Sequence, residues 1–406
     1  MPSDRFASLA RPVRLVAVGD ELLRGEVLDR NGHRLAARLA ALGWMPDSMA
    51  QSPDHGGATA AAVQRWLEEG GVLLLCGGLG PTADDLTRED VAAGLGVALV
   101  EHPAAAAMIH AREERLGRRF TPFTHRQALL PEGCEPVENP VGTAPGFGRP
   151  HPSGAGWLLV LPGVPFEFAA MVDAVLPPPA APQAEDWLLL GVGEDRLAAL
   201  LEDYPGRDHL GFYPSMEGHR LRVPLRDAVD RDDLAQRLAP HLASREEGRP
   251  EAVLVKLLAA RGETLAVAES CTGGMLGARI TRVAGASDVF VGGVISYADA
   301  VKTALLDVDA ALLARDGAVS EPVARAMADG VRARLASDWA LAITGIAGPG
   351  GERPGKPVGT IHVALAGPAT SAHRLLRAGW EREDNRRYAV LQAMTLLWEQ
   401  LRHVET

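Results

Sequence analysis

Short apolar runs alternate with amphipathic stretches along most of the chain. Arg14-Leu15-Val16-Ala17-Val18 reads as a buried strand that ends at Gly19. Asn31 then caps a helix whose apolar face, Leu35, Ala36, Leu39 and Leu42, falls at helical spacing. Residues 72–75 and 158–161 are continuous apolar runs of strand length, followed by Gly77-Gly78 and Pro162-Gly163. After residue 250 the pattern returns. Residues 265–268 form a strand that runs into Glu269-Ser270-Cys271-Thr272-Gly273-Gly274 and a helix. Residues 289–296, 339–344 and 358–365 are further strands, and a helix over about 384–402 closes the chain. Buried strands separated by amphipathic helices predict an α/β class, here two α/β layer domains with largely parallel sheets. Between them, Arg220-Leu221-Arg222-Val223-Pro224-Leu225 alternates like a half-exposed strand and residues 232–242 read as a helix, giving a small α+β module.

Two breaks divide the pattern. Pro177-Pro178-Pro179-Ala180-Ala181-Pro182 cannot sit inside a helix or a central strand, and Ser244-Arg245-Glu246-Glu247-Gly248-Arg249-Pro250 is polar. The predicted domains are residues 1–176, 177–248 and 249–406, sizes that a chain of 406 residues accommodates. The chain has 52 acidic and 41 basic residues, a net charge of -11, which argues against direct nucleic-acid binding through a broad basic patch. Its three cysteines, Cys76, Cys134 and Cys271, form neither a disulfide framework nor paired metal-ligand spacing. Met1-Pro2-Ser3-Asp4-Arg5-Phe6 opens no signal peptide, and no apolar run approaches the roughly 18 to 20 residues that span a bilayer. A soluble cytoplasmic protein is expected, with no membrane partner.

Candidate chemistry sits at two strand ends. Residues 77–87, GGLGPTADDLT, follow the apolar run at 72–75. Glycines such as Gly78 and Gly80 let backbone N–H groups approach an anion, and Thr82 with the next helix N-terminus can hold phosphate oxygens. Asp84 and Asp85 offer hard oxygen ligands for a divalent cation, and Glu21 lies beyond the first strand at the same edge. The same residues also fit a plain glycine-rich turn in which Asp84 or Asp85 caps a helix. The segment is neither a P-loop nor GxGxxG.

Gly19-Asp20-Glu21-Leu22-Leu23-x-Gly25, GGLGPTADDLT and Asn139-Pro140-Val141-Gly142-Thr143-Ala144-Pro145-Gly146-Phe147, in that order, resemble the N-terminal domain of the CinA (competence/damage-inducible) family. That resemblance implies the fold of molybdopterin-binding proteins and a metal-dependent ADP-ribose pyrophosphatase activity. It makes Glu21, Asp84 and Asp85 metal candidates, and Gly78, Gly80, Thr82, Asn139 and Thr143 substrate-binding candidates. Two departures stand out: Asp20 replaces a common Thr, and Pro162-Gly163-Val164-Pro165-Phe166-Glu167 stands where Pro-Gly-Pro-Pro-x-Glu is usual.

The second strand end carries Ser270. A serine at a helix N-terminus lies among free N–H groups able to stabilise an oxyanion, but its hydroxyl needs a base. Lys302 is the attractive base. Only Lys256, Lys302 and Lys356 occur in the chain, and a lysine, unlike an arginine, can lose its proton. Plain alternatives remain: Ser270 as an N-cap, Lys302 as a solvated helix residue, Cys271 as a rival nucleophile, and His362 as a packed strand residue. No HxH, HExxH or CxxC pattern supports zinc.

Ala268-Glu269-Ser270-Cys271-Thr272-Gly273-Gly274, Ala284-Gly285-Ala286-Ser287-Asp288, Gly317-Ala318-Val319-Ser320-Glu321 and residues 343–351, ITGIAGPGG, followed by Lys356-Pro357-Val358-Gly359-Thr360, resemble the C-terminal CinA domain. The resemblance spans about residues 250–400. It implies an amidohydrolase that converts nicotinamide mononucleotide (NMN) to nicotinate mononucleotide and ammonia without a cofactor. Ser270, Lys302 and Tyr297 become the catalytic candidates. Thr272, Gly273, Gly274, Thr344, Gly345, Gly348, Arg382 and Arg386 become substrate-binding candidates, the arginines for the 5′-phosphate. The segment Tyr297-Ala298-Asp299 departs from the family's Tyr-Ser-Asn. The middle module resembles the KH-like connecting domain of full-length members, without a Gly-x-x-Gly clamp in a basic setting. A homodimer is expected. Alternative readings are a non-enzymatic adaptor in competence or recombination, and a molybdopterin-binding first domain.

Overall fold

The apolar runs at the strand positions are continuous because helices cover both faces of the sheets they form. The computed structural model describes residues 11–117, 121–154, 156–178, 184–225 and 229–403. The chain falls into two compact units, Met1–Pro182 and Gln183–Thr406.

The first unit holds β1 (Val13–Val18), β2 (Ser48–Ser52), β3 (Gly71–Cys76), β4 (Leu99–Glu101), β5 (Leu129–Pro131), β6 (Glu135–Val137), β7 (Gly146–Pro150) and β8 (Gly156–Leu161). Six of them form a sheet in the order β2-β1-β3-β8-β7-β6, and β4 pairs with β5 apart from it. Strands β2, β1, β3 and β8 are parallel, whereas β7 and β6 are antiparallel. Within β3, Val72, Leu74 and Cys76 face a layer with Leu35, Leu39, Phe168 and Val172. Leu73 and Leu75 face the opposite layer, with Val63, Trp66, Val91 and Ile109. Such a doubly covered strand has no polar face to alternate. The helix Arg30–Ala40 is capped by Asp29, whose carboxylate accepts from the Gly32 N–H at 2.7 Å. Asn31, expected as the cap, lies inside the first turn instead and donates to the Gly163 carbonyl at 2.6 Å.

The second unit combines two sheets. Its four-stranded antiparallel sheet runs β10-β11-β9-β12, from β9 (Ala184–Leu189), β10 (Gly211–Tyr213), β11 (His219–Pro224) and β12 (Leu242–Ser244). Trp187 and Leu189 of β9 face the module's own core, with Leu221 and Leu234. Leu188 and the following Leu190 join a larger core with Val253, Leu254 and Leu258. The helix expected over 232–242 is Arg231–Leu238, because Pro240 has no N–H to continue it and the chain turns into β12.

The five-stranded sheet runs β14-β13-β15-β16-β17, from β13 (Leu265–Glu269), β14 (Phe290–Ile295), β15 (Trp339–Gly345), β16 (Thr360–Ala366) and β17 (Ser371–Arg377). β13 is parallel to β14 and β15, and β16 and β17 are antiparallel. Residues 367–370 join these two, too short a link for a parallel crossover. One face packs Leu265, Val267, Leu341, Ile343 and Val363 against the helices Pro250–Arg261 and Arg382–His403. The other face is alanine: Ala266 opposes Ala340, which opposes Ala366, and Ala268 opposes Ala342, which opposes Ala364. These small side chains pack under the helix Glu321–Leu335. Among the described residues no helix is long and apolar enough to cross a membrane.

Candidate active site

Ser270 is placed by the end of β13, where its N–H donates to the Ile343 carbonyl of β15 at 2.9 Å. The chain then turns back, with the Gly273 N–H on the Ser270 carbonyl at 3.1 Å. Gly273 and Gly274 have φ of 60° and 97°, conformations that a side chain would strain. The helix, Met275–Ile280, begins only after this turn. Its N–H groups are therefore not presented to Ser270 as the sequence suggested. Those of Gly274, Leu276 and Gly277 donate to the Glu269 carboxylate at 3.1, 3.1 and 2.9 Å. Glu269 is buried, and three donors offset the cost of desolvating its charge. A buried ion pair, Arg279 to Glu251 at 2.6 Å, ties the same helix to Pro250–Arg261.

Lys302 lies on the helix Asp299–Leu306 with 1% of its surface exposed. Its Nζ donates to the carbonyls of Ser296 at 2.9 Å and Tyr297 at 3.3 Å, and to Asp299 Oδ1 at 3.3 Å. The solvated-helix reading of Lys302 is thereby corrected, since the amine is enclosed by acceptors at the end of β14. A cavity of about 260 Å³ brings Ser270, Tyr297, Lys302, Thr344, Gly345, Gly348 and Arg382 together. Arg382 donates to the Gly348 carbonyl and, at 3.1 Å, to the Tyr297 hydroxyl, so it bridges two walls of that cavity. The Thr344 hydroxyl donates to Ala318 at 2.8 Å.

Of the remaining candidates, Thr272 and Arg386 support the cavity rather than line it, whereas Cys271 lines it beside Ser270. Thr272 is fully buried. Arg386 donates to the Thr272 carbonyl at 2.8 Å and pairs with Glu383 at 2.7 Å. Cys271 is the rival nucleophile, and burial pushes its thiol up to about 12, far from forming a thiolate near neutrality. His362 is a packed residue: its Nδ1 lies 2.9 Å from His373 Nε2, and His373 Nδ1 lies 3.4 Å from Glu321. Sequence reasoning missed Glu269. Its signal was a carboxylate ending an apolar strand directly before a turn rich in N–H groups.

In the first unit a cavity of about 350 Å³ opens beyond β3 and β8, lined by Gly78, Gly80, Asp85, Thr143, Gly163 and Glu167 among others. Asn139 is buried beside it, and its amide donates to Ala144 at 2.9 Å and to Glu167 at 2.7 Å. Its Oδ1 accepts from the Val141 and Gly142 N–H groups, so Asn139 shapes the loop. Asp85 is taken by Thr82, whose N–H donates to it at 2.9 Å and whose hydroxyl also donates. The carboxylate closes a turn and caps no helix. The helix Thr87–Leu95 has Leu86 at its N-cap and no side-chain cap. Of the three proposed metal ligands only Asp85 lines the cavity; Asp84 is exposed and Glu21 lies on the short helix Asp20–Leu23. Among the described residues no three His, Cys, Asp or Glu side chains converge to hold a metal ion. The carboxylates present do not fit the divalent metal that the sequence reading placed here.

Residues 248–401 match the family model of the CinA C-terminal domain, and residues 14–181 match that of a probable molybdopterin binding domain. A CinA-like protein of Parasynechococcus marenigrum is 39% identical over 95% of this chain and 96% of its own length. A CinA-like protein of Anaeromyxobacter dehalogenans is 40% identical over 95% of this chain and 98% of its own. Among solved structures, the competence/damage inducible protein CihA of Agrobacterium tumefaciens is 34% identical, with a TM-score of 0.36, over 36% of this chain and 91% of that one. Matched along both units by full-length relatives, the chain belongs to the CinA family and joins a molybdopterin-binding-type domain to a CinA C-terminal domain.

Proposed function

We propose that the second unit hydrolyses the carboxamide of NMN to nicotinate mononucleotide and ammonia. The observation that carries this reading is the cavity that gathers Ser270, Lys302, Tyr297 and Arg382. Ser270 Oγ attacks the carboxamide carbon while its proton passes to Lys302 Nζ. The C–N bond then breaks, and the lysine returns the proton to the departing ammonia. Water attacks the resulting ester, a proton returns to Ser270, and nicotinate mononucleotide leaves. Arg382, fixed by Gly348 and the Tyr297 hydroxyl, supplies a guanidinium for the 5′-phosphate. Ammonia release from NMN tests the assignment. Ser270→Ala loses turnover by at least about a thousandfold, in the range seen when a nucleophile is removed. Cys271→Ala retains it. Activity that survives the first substitution and dies with the second overturns the choice of nucleophile.

The first unit, on the same proposal, binds ADP-ribose at its glycine-lined cavity, where backbone donors of the 77–82 segment approach a diphosphate. No hydrolytic step is assigned to it, because the carboxylates do not assemble. Titration of ADP-ribose in the presence of a chelator tests this. Binding that persists supports it, and binding that appears only with an added divalent ion contradicts it.

A further inference from the structure

We propose that the second unit carries another small-molecule site, for a nucleoside without a phosphate, in the cleft between its four-stranded module and its last helix. A cavity of about 800 Å³ lies there, within the size range of ligand pockets and about three times the volume found at Ser270. The two cavities share no lining residue.

One wall is a stripe of the helix Arg382–His403. Tyr388, Leu391, Gln392, Thr395 and Glu399 recur at three- and four-residue spacing and all line the cavity. The opposite wall comes from residues 190–194 and 214–216 and from His219 of the module. Leu190 is buried at the base. Leu391 and Thr395 of the stripe are buried, while Tyr388, Gln392 and Glu399 keep part of their surface exposed.

The lining suits a planar heteroaromatic. Trp380 packs edge-on against Tyr388, with ring centroids 5.0 Å apart and planes at 81°. Trp380 remains 45% exposed, which leaves it able to take a stacked ring. Met216 and Leu391 add apolar surface. Gln392, half-buried in the lining, supplies an amide for sugar hydroxyls.

The charges disfavour a phosphate. Arg374 is the single arginine in the lining, and it is spent: it donates to Gln392 at 2.7 Å and to Glu399 at 2.6 Å. Glu194 is left without a cation in the lining to balance it. His219 adds no positive charge near neutrality, because burial lowers its pKa. The cavity thus carries net negative charge, the opposite of what Arg382 gives the Ser270 site.

Calorimetric titration of the full chain with adenosine and AMP tests the proposal, the site being read as the binding that Met216→Trp removes. Adenosine binds there saturably, and AMP binds there at least about tenfold more weakly through charge repulsion. Met216→Trp fills the cleft from an exposed loop. It weakens adenosine at least about tenfold, as does Trp380→Ala, the loss expected when one stacking surface worth about 1–3 kcal/mol is removed. Met216→Trp leaves ammonia release from NMN unchanged, and Arg382→Ala leaves adenosine affinity within about twofold. No saturable adenosine binding at millimolar concentration, equal affinity for AMP, or adenosine affinity indifferent to Met216→Trp and Trp380→Ala each overturn the site. Because the readout is binding, failure of the NMN reading leaves this result standing, and the reverse holds too.

Discussion

Ser270 and Cys271 are neighbours on one turn, yet their surroundings separate their chemistry. Both line the cavity that also holds Lys302, but burial pushes the thiol up to about 12 and keeps it protonated. The two arginines are separated in the same way. Arg382 lines the cavity, while Arg386 braces the turn through the Thr272 carbonyl. Arg382→Ala should raise the KM for NMN at least about tenfold and leave the affinity for nicotinamide riboside nearly unchanged, since a charge-assisted bond to phosphate is worth about 1.5–3 kcal/mol. Arg386→Ala should affect both ligands alike. Binding measurements on the pair of ligands decide it. Lys302→Arg should be nearly as inactive as Lys302→Ala, because a guanidinium cannot accept the serine proton. Near-normal turnover by the arginine variant would instead give Lys302 a purely electrostatic role. Ser270 and Lys302 were legible in the sequence as candidates, the serine because it ends a strand before a glycine turn and the lysine because the chain has only three. Glu269 was not, since its role depends on the turn at Gly273 and Gly274 bringing three N–H groups back onto it.

At the scale of elements, the apolar runs identified the central strands and misjudged the margins. β17 was missed because it is an edge strand with a single fully buried residue and with histidine and arginine among the others. Its partner β16 contributes His362, which stacks on His373 at 5.1 Å between centroids. Burial first, then the charges of His373 and Lys356, lower His362 to about 4. A histidine that binds its proton less tightly when folded contributes stability above its unfolded pKa of about 6.5 and loses it as pH falls toward 4. Because the ring is only half buried, the loss attributable to it is about 1 kcal/mol. Urea unfolding at pH 7 and pH 4 should show the wild type losing that much more than His362→Gln. Equal losses would place the acid sensitivity elsewhere.

At the scale of the whole molecule, both α/β layers and the small module between them were readable from periodicity and proline breaks. The shared core of the module and the last domain was not. Leu188 and Leu190 alternate with Trp187 and Leu189, but only the structure reveals that both faces of this stretch are covered. The carboxylates expected to hold a metal in the first unit do not converge among the described residues. Asp84 and Asp85 are adjacent in sequence, yet one closes a turn and the other points to solvent. The proposed function therefore rests most heavily on the second unit and on an ester at Ser270. Acid quenching of the full chain during turnover with NMN, followed by peptide mass analysis, tests that ester directly. The account predicts a nicotinoyl-mononucleotide adduct on the peptide containing Ser270, absent from Ser270→Ala. An adduct on Cys271, or ammonia released with no covalent intermediate on either residue, would contradict it.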